Sequence, residues 1–99
     1  MELGARIYNG DRAREVLENE AYTQAFADIE QEILNKWKES PARDSEGREK
    51  LWQLLSLLQK LQSTLQATFD TGKLAKLELE HKRNLAERVR DARSAFSQG

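Results

Sequence analysis

The chain of 99 residues contains no cysteine, one proline and five glycines, and only 7% of its residues are aromatic. The lack of cysteine excludes disulfides and thiol catalysis, and it leaves His81 as the only soft metal ligand, so we expect neither a metal site nor a cofactor. No apolar run approaches the ~18 residues of a membrane span, and the first residues lack a signal-peptide pattern. These absences predict a soluble intracellular protein.

The net charge is −1, although 33% of the residues are charged. This balance argues against a generally basic protein that coats nucleic acid. The length is sufficient for one domain, residues 1–99, and a globular chain of this size buries only about 60–70% of its unfolded surface. We therefore expect a single domain with a modest core.

Residues typical of helices dominate the composition, and their spacing predicts three helices, over about 11–39, 46–70 and 73–96, with no strand. In the first helix Asp11 is a plausible N-cap after the turn signal at Asn9-Gly10, and Val16 and Leu17 lie off the apolar stripe. That stripe comprises Tyr22, Ala25, Phe26, Ile29, Ile33 and Trp37. A break is expected at Ser40-Pro41, and either Ser40 or Asp44 could cap the second helix.

The second helix carries a seam of heptad-like spacing, and Gly72 is expected to end this helix as a left-handed C-cap. The seam comprises Leu51, Leu54, Leu55, Leu58, Leu61, Leu65 and Phe69. The apolar stripe of the third helix comprises Leu74, Leu77, His81, Leu85, Val89, Ala92 and Phe96. Because the connections are short, we expect an all-α, elongated helical hairpin or an up-down-up three-helix bundle.

The middle helix is unusually poor in charge, since Lys60 is the only charged residue between Leu51 and Phe69. Uncharged polar residues and a tryptophan on an outer face favour burial against another chain, which predicts a homo-oligomer. The residues expected to mediate self-association are Leu51, Trp52, Leu55, Leu58, Gln59, Gln62, Leu65 and Gln66. The alternative is a monomer in which the other two helices flank this one.

Charge is unevenly distributed along the chain. Residues 11–39 contain eight acidic and four basic side chains, whereas residues 73–99 contain seven basic and four acidic ones. Opposite charges favour packing of these segments together, within or between chains. The basic side chains could also contact phosphates, which makes nucleic acid a possible but weaker partner. The residues concerned are Lys76, Lys82, Arg83, Arg90 and Arg93.

No motif indicates catalysis. His81 lacks a neighbouring nucleophile and orienting carboxylate, so a buried or interface histidine is the simpler interpretation. The run Thr71-Gly72-Lys73 resembles the end of a phosphate-binding loop, but no earlier glycine or strand precedes it, so it is interpreted as a helix break. A single Glu78-x-x-His81 would need a second copy and further glutamates to hold two metals. We expect a protein that is not an enzyme.

Three stretches resemble small uncharacterised tailed-bacteriophage proteins of the head-assembly and packaging region. They are residues 40–52 (SPARDSEGREKLW), 71–75 (TGKLA) and 18–37, and the resemblance covers roughly residues 12–75. It implies a phage gene product located in the host cytoplasm or the virion, with another phage protein as a further possible partner. It carries over no catalytic or binding residue.

These observations together predict a non-enzymatic phage structural or assembly protein that acts through helix-mediated self-association. One alternative is a nucleic-acid-binding DNA-packaging adaptor that resembles a terminase small subunit, in which weak basic patches add in a ring. The other is a phage inhibitor of a host protein that acts through the acidic first helix.

Overall fold

The computed structural model describes residues 2–97, with side chains through Ala95, and this part of the chain contains three helices and no strand. They are α1 (Leu3–Leu17), α2 (Glu20–Glu39) and α3 (Ser45–Ser97). The molecule measures 84 × 25 × 17 Å, and its radius of gyration is 23.2 Å, against about 13 Å for a globular domain of this length. The 53 residues of α3 account for this length, because a helix rises about 1.5 Å per residue. The expected all-α, elongated fold is confirmed.

Both shorter helices run antiparallel to α3. The Arg48 guanidinium lies over the Trp37 ring, the Tyr22 hydroxyl contacts Gln62, and Arg6 pairs with Glu78. Residues later in α3 therefore contact residues earlier in the chain, which is the order of contacts in an antiparallel pair. The chain runs one way through α1 and α2 and returns through α3, so the hairpin is the architecture that forms.

The predicted break at residues 70–72 is wrong, because the predicted helices 46–70 and 73–96 form one continuous α3. Gly72 has no positive φ and is not a C-cap; it is buried inside the helix. Thr68 donates to the Thr64 carbonyl, and Gln66 donates to Asp70, so polar side chains around this point bond within the helix. Thr71-Gly72-Lys73 is accordingly neither a loop nor a break. The side chain of Phe96, assigned to the third stripe, lies outside the described residues.

The predicted first helix, residues 11–39, corresponds to two helices. The first begins earlier than predicted, at Leu3, and Glu18 and Asn19 separate it from the second. Asp11 lies inside α1 and is not an N-cap. The N-cap of α2 is Asn19, whose side chain accepts a hydrogen bond of 3.0 Å from the Tyr22 amide. The off-stripe positions of Val16 and Leu17 were the sequence signal for this interruption, because they mark a change of helical phase.

The break at Ser40-Pro41 is confirmed, and Asp44 is the residue that caps α3. Its Oδ1 accepts a 3.0 Å hydrogen bond from the Gly47 amide. Arg48 closes the turn from the other side: its Nη1 lies 3.3 Å from the Trp37 carbonyl and 3.1 Å from Ser40 Oγ. Carbonyls at the end of α2, which have no partner within that helix, are bonded in this way.

The tightest contact in the hairpin joins small residues of α1 and α3. Gly10, Ala13, Gly72 and Ala75 are all buried, and Ala75 has no exposed surface. A Cβ atom built on Gly10 would lie 2.7 Å from the Gly72 Cα, and the reverse distance is also 2.7 Å. The two backbones therefore touch, which explains why glycine occupies the middle of each helix here despite its low helix propensity.

Candidate self-association surface

The single chain leaves much of its apolar surface exposed. Its accessible surface is 7899 Å², whereas a compact monomer of 11.4 kDa exposes about 5,800 Å². Among the described side chains, the buried apolar residues are two alanines and Ile33, and no large side chain is fully buried. Twelve large apolar side chains in this part of the chain are more than a third exposed. The helices contact each other along a single row of residues, so the core of the hairpin is shallow.

Five of the eight predicted self-association residues lie half-buried on the side of α3 that faces the rest of the hairpin. Leu51 and Leu55 border Ile33 and Leu34 of α2, and the Tyr22 hydroxyl donates a 3.0 Å hydrogen bond to Gln62. Leu58 and Leu65 continue the same heptad positions. These side chains hold the hairpin together, so only part of each remains available to another chain.

The other three predicted residues, Trp52, Gln59 and Gln66, are exposed on one edge of this contact, and Trp52 is 60% exposed. Trp52 forms an open pocket of about 240 Å³ together with Leu34 and Trp37 of α2. Gln66 donates a 3.1 Å hydrogen bond to Asp70 of its own helix. On this edge the exposed apolar surface is therefore concentrated at the two tryptophans.

A larger apolar groove opens between α2 and α3, with a volume of about 520 Å³. Its main apolar residues are Ile29, Ile33, Leu54, Leu57, Leu58 and Leu61; we call it the α2–α3 groove. Leu57 is 66% exposed, and Ile29, Leu54 and Leu61 are also exposed. Leu57 was missing from the predicted set. The i, i+3, i+7 spacing of Leu54, Leu57 and Leu61 was the available signal, because Leu57 widens the seam on the side where Leu54 and Leu61 lie.

The predicted basic residues are distributed between ion pairs and an exposed helix end. Lys76 Nζ lies 2.7 Å from an Asp11 carboxylate oxygen, and Lys82 Nζ lies 3.6 Å from Glu78. Arg83, Arg90 and Arg93 are exposed in residues 80–95 of α3, which extend beyond the start of α1 and which we call the arm. His81 is also exposed in the arm, so the buried interpretation is wrong for the single chain.

Asp11 and Lys76 join α1 to α3 beside the glycine contact. The hydrogen bond from Lys76 holds the pKa of Asp11 below its ordinary value of 3.8. Desolvation opposes this shift, and weaker Coulombic attractions to Lys76, Arg14 and Arg12 lower the pKa further. A carboxyl whose pKa is lowered by folding stabilises the folded state above pH 3.8, and this contribution is lost as the pH falls through its folded-state pKa.

We expect wild type to resist urea better than the Asp11→Asn variant at pH 7, with the difference closing as the pH drops below 3.8. At that pH Asp11 is protonated, so the wild-type and the substituted side chains are both uncharged. The hydrogen bond from Lys76 is then no longer strengthened by a negative charge on its acceptor. Urea midpoints measured from pH 2 to pH 7 test this. A repeat in 1 M salt is the control, because screening reduces the contribution of an exposed pair. A difference that persists unchanged at the lowest pH would contradict the assignment.

No helix within the described residues is long and apolar enough to cross a bilayer. The same residues contain no group of three or more histidine, aspartate or glutamate side chains placed to hold a metal ion. No protein-family model matches the chain, and comparison with curated proteins and with solved structures yields no match.

Proposed function

We propose that this chain is a non-enzymatic structural or assembly protein that works by packing its exposed apolar helix surfaces against copies of itself or another protein. The observation that carries the proposal is the surface area: the chain exposes about 2,100 Å² more than a compact monomer of its mass. A typical interface buries about 800 Å² on each partner. The excess is thus large enough for two contacts.

The chemistry of the exposed side chains supports association with protein. Trp52 and Leu57 lie on the two edges of the α2–α3 contact, so both edges are apolar. Burial of apolar surface contributes about 25 cal/mol per Å², and aromatic residues are the most frequent anchors of protein interfaces. Large apolar side chains exposed around one groove, as here, are typical of interaction sites.

The resemblance of residues 12–75 to tailed-bacteriophage proteins supports a setting for this role: a phage product of the head-assembly and packaging region, acting in the host cytoplasm or the virion. An assembly of many copies needs two contact faces on each subunit, whether these are self-complementary or pack head to tail. A thin hairpin with two apolar edges has that character.

Sedimentation velocity and light scattering of the purified chain test the proposal. We expect an oligomer at tens of micromolar, whose mass falls on dilution, since apolar association obeys mass action. A monomer throughout this range would contradict self-association.

A titration with duplex DNA at low and high salt, using wild type and the Arg83→Glu/Arg90→Glu variant, tests the packaging-adaptor alternative. Binding that weakens steeply with salt and with the charge reversal would favour that role. No binding at low salt would remove it.

A further inference from the structure

An apolar stripe runs along α3 from Leu74 into the arm, and nothing within the hairpin covers it. The stripe comprises Leu74, Leu77, His81, Leu85, Val89 and Ala92, all of them exposed; we call it the arm stripe. Leu74 and Leu77 are 67% and 61% exposed although both lie beside α1. They stay exposed because α1 packs on another face of the helix, the one that contains Gly72 and Ala75.

Helix geometry separates these two faces. At 3.6 residues per turn, the arm stripe stays within an arc of about 120°, and the face that contacts α1 is centred about 130° away. The stripe is straight and about 27 Å long, since its spacing is close to the natural period of an α-helix. A second helix can therefore lie along it without displacing α1.

We propose that the arm stripe is a dimer interface in which the arms of two copies pack antiparallel about a twofold axis. This inference rests on the proposed function and specifies one of its contacts. In this register Leu74 lies opposite Ala92 of the second copy, Leu77 opposite Val89, and His81 opposite Leu85. Every member of the stripe then faces another member, as a self-complementary interface requires.

The charges along one edge of the stripe match this register. Lys73 and Asp91 of the second copy lie on the same edge and within about 3 Å of each other along the helix axis, as do Glu80 and Arg88, so the twofold axis produces four pairs of opposite charge. All four of these side chains are exposed. Opposite charges beside an apolar seam favour one orientation and register over others. On the other edge, Lys82 lies near its own counterpart and is paired with Glu78 of its own chain at 3.6 Å.

Cysteine crosslinking tests the register directly, because the natural chain has no cysteine to interfere. Leu74→Cys and Ala92→Cys chains are treated with a short bismaleimide, first separately and then mixed. The antiparallel register predicts crosslinked dimer mainly in the mixture. A parallel, in-register pair would instead crosslink each variant by itself, and that result would overturn the proposal.

Two adjacent positions provide a matched control. Asn84 lies beside the stripe close to the twofold axis, whereas Arg83 lies on the opposite face of the same turn. Asn84→Cys chains are expected to crosslink to each other and Arg83→Cys chains to remain single. Equal crosslinking of both would indicate random collision and would also overturn the proposal.

Two further variants connect the contact to affinity. Leu85→Asp is expected to prevent the mixed crosslink and to weaken pairing of the arms by at least about 100-fold, because the twofold contact loses one buried leucine on each copy. Lys73→Glu is expected to weaken it less, and adding Asp91→Lys to restore it. If wild type assembles but the mixed crosslink never forms, the arm interface is wrong and the proposed function stands. If wild type is monomeric, the arm interface and the self-association part of the proposed function are both wrong.

Discussion

Adding a single methyl group at Gly72 is expected to detach α1 from α3. In the Gly72→Ala variant the new Cβ would meet the Gly10 Cα at 2.7 Å and the Arg6 carbonyl oxygen at 3.1 Å. Both contacts are with backbone atoms, so no side-chain rotation relieves them. Overpacking of this kind costs about 1–3 kcal/mol, and the whole of α1 must shift to avoid it.

The expected loss of stability in Gly72→Ala is opposite in sign to the effect of helix propensity. Alanine is about 1 kcal/mol more favourable than glycine inside a helix, so α3 by itself should gain stability from the substitution. Hydrogen exchange is therefore expected to show α1 amides losing protection while those of α3 near Ser45–Leu65 keep theirs. Total helicity measured by circular dichroism should fall by no more than the contribution of α1.

Gly4 provides the matched control because it lies in the same helix as Gly10 and is exposed. A Cβ at Gly4 would meet only the Glu2 Oε1 at 3.5 Å, an ordinary contact with a flexible side chain. Gly4→Ala should therefore stabilise the protein by up to about 1 kcal/mol, whereas Gly10→Ala should behave like Gly72→Ala. The Gly10→Ala/Gly72→Ala double variant should cost less than the sum of the two, because they share one contact. A stabilised Gly72→Ala chain would show that the backbones are not in contact.

This contact also explains the main error in the sequence-based prediction. A glycine after Asp70-Thr71 is equally compatible with a helix end and with a close approach of two backbones, because lack of a Cβ permits both. What decides between them is Gly10, which is distant in sequence. The repeated spacing in Gly10-x-x-Ala13 and Gly72-x-x-Ala75 was the available signal, since small residues three apart form a flat patch on one helix face.

The fold class and the turn were predictable because they depend on local physical effects. Pro41 disfavours helix at the preceding residue, and Asp44 can cap the helix that follows, so this boundary required no knowledge of tertiary packing. The beginning of α1 was missed for the opposite reason. In its first turns only Leu3, Ala5 and Ile7 are half-buried apolar residues, and the buried residues that follow are the small Gly10 and Ala13, so the apolar stripe is narrow.

The candidate surface was only partly predictable from spacing. Heptad positions correctly place Leu51, Leu55 and Leu58 on one face of α3, but periodicity does not say whether the partner is α2 or another chain. In the structure α2 occupies that face, and the exposed apolar surface lies to either side, at Trp52 and at Leu57. The position of α2 across the face of α3 decides which side chains on either side stay exposed. That position is a property of the folded hairpin and not of the spacing in the sequence.

Replacing Leu57 by aspartate is expected to have the largest effect on assembly. Leu57 is 66% exposed in the single chain and borders the α2–α3 groove, so the hairpin loses little of its own packing when the side chain changes. In an oligomer that covers the groove, the same change removes about 1.5–3 kcal/mol of apolar burial and places a carboxylate against leucines. Because a twofold contact contains the substitution twice, the dissociation constant should rise by at least about 100-fold.

Gln59→Asp is the matched control for Leu57→Asp, since both introduce one carboxylate at an exposed position of α3 within a single turn. Gln59 lies on the Trp52 edge and not in the groove, so its substitution should leave the groove contact intact. Sedimentation velocity should show the Leu57→Asp chain reduced to the dimer joined by its arms, and the Leu57→Asp/Leu85→Asp chain reduced to a monomer. Unchanged circular dichroism of each single variant would show that the hairpin itself persists. If Gln59→Asp dissociates the oligomer and Leu57→Asp does not, the contact lies on the tryptophan edge, because only a surface that is buried on association is sensitive to an added charge.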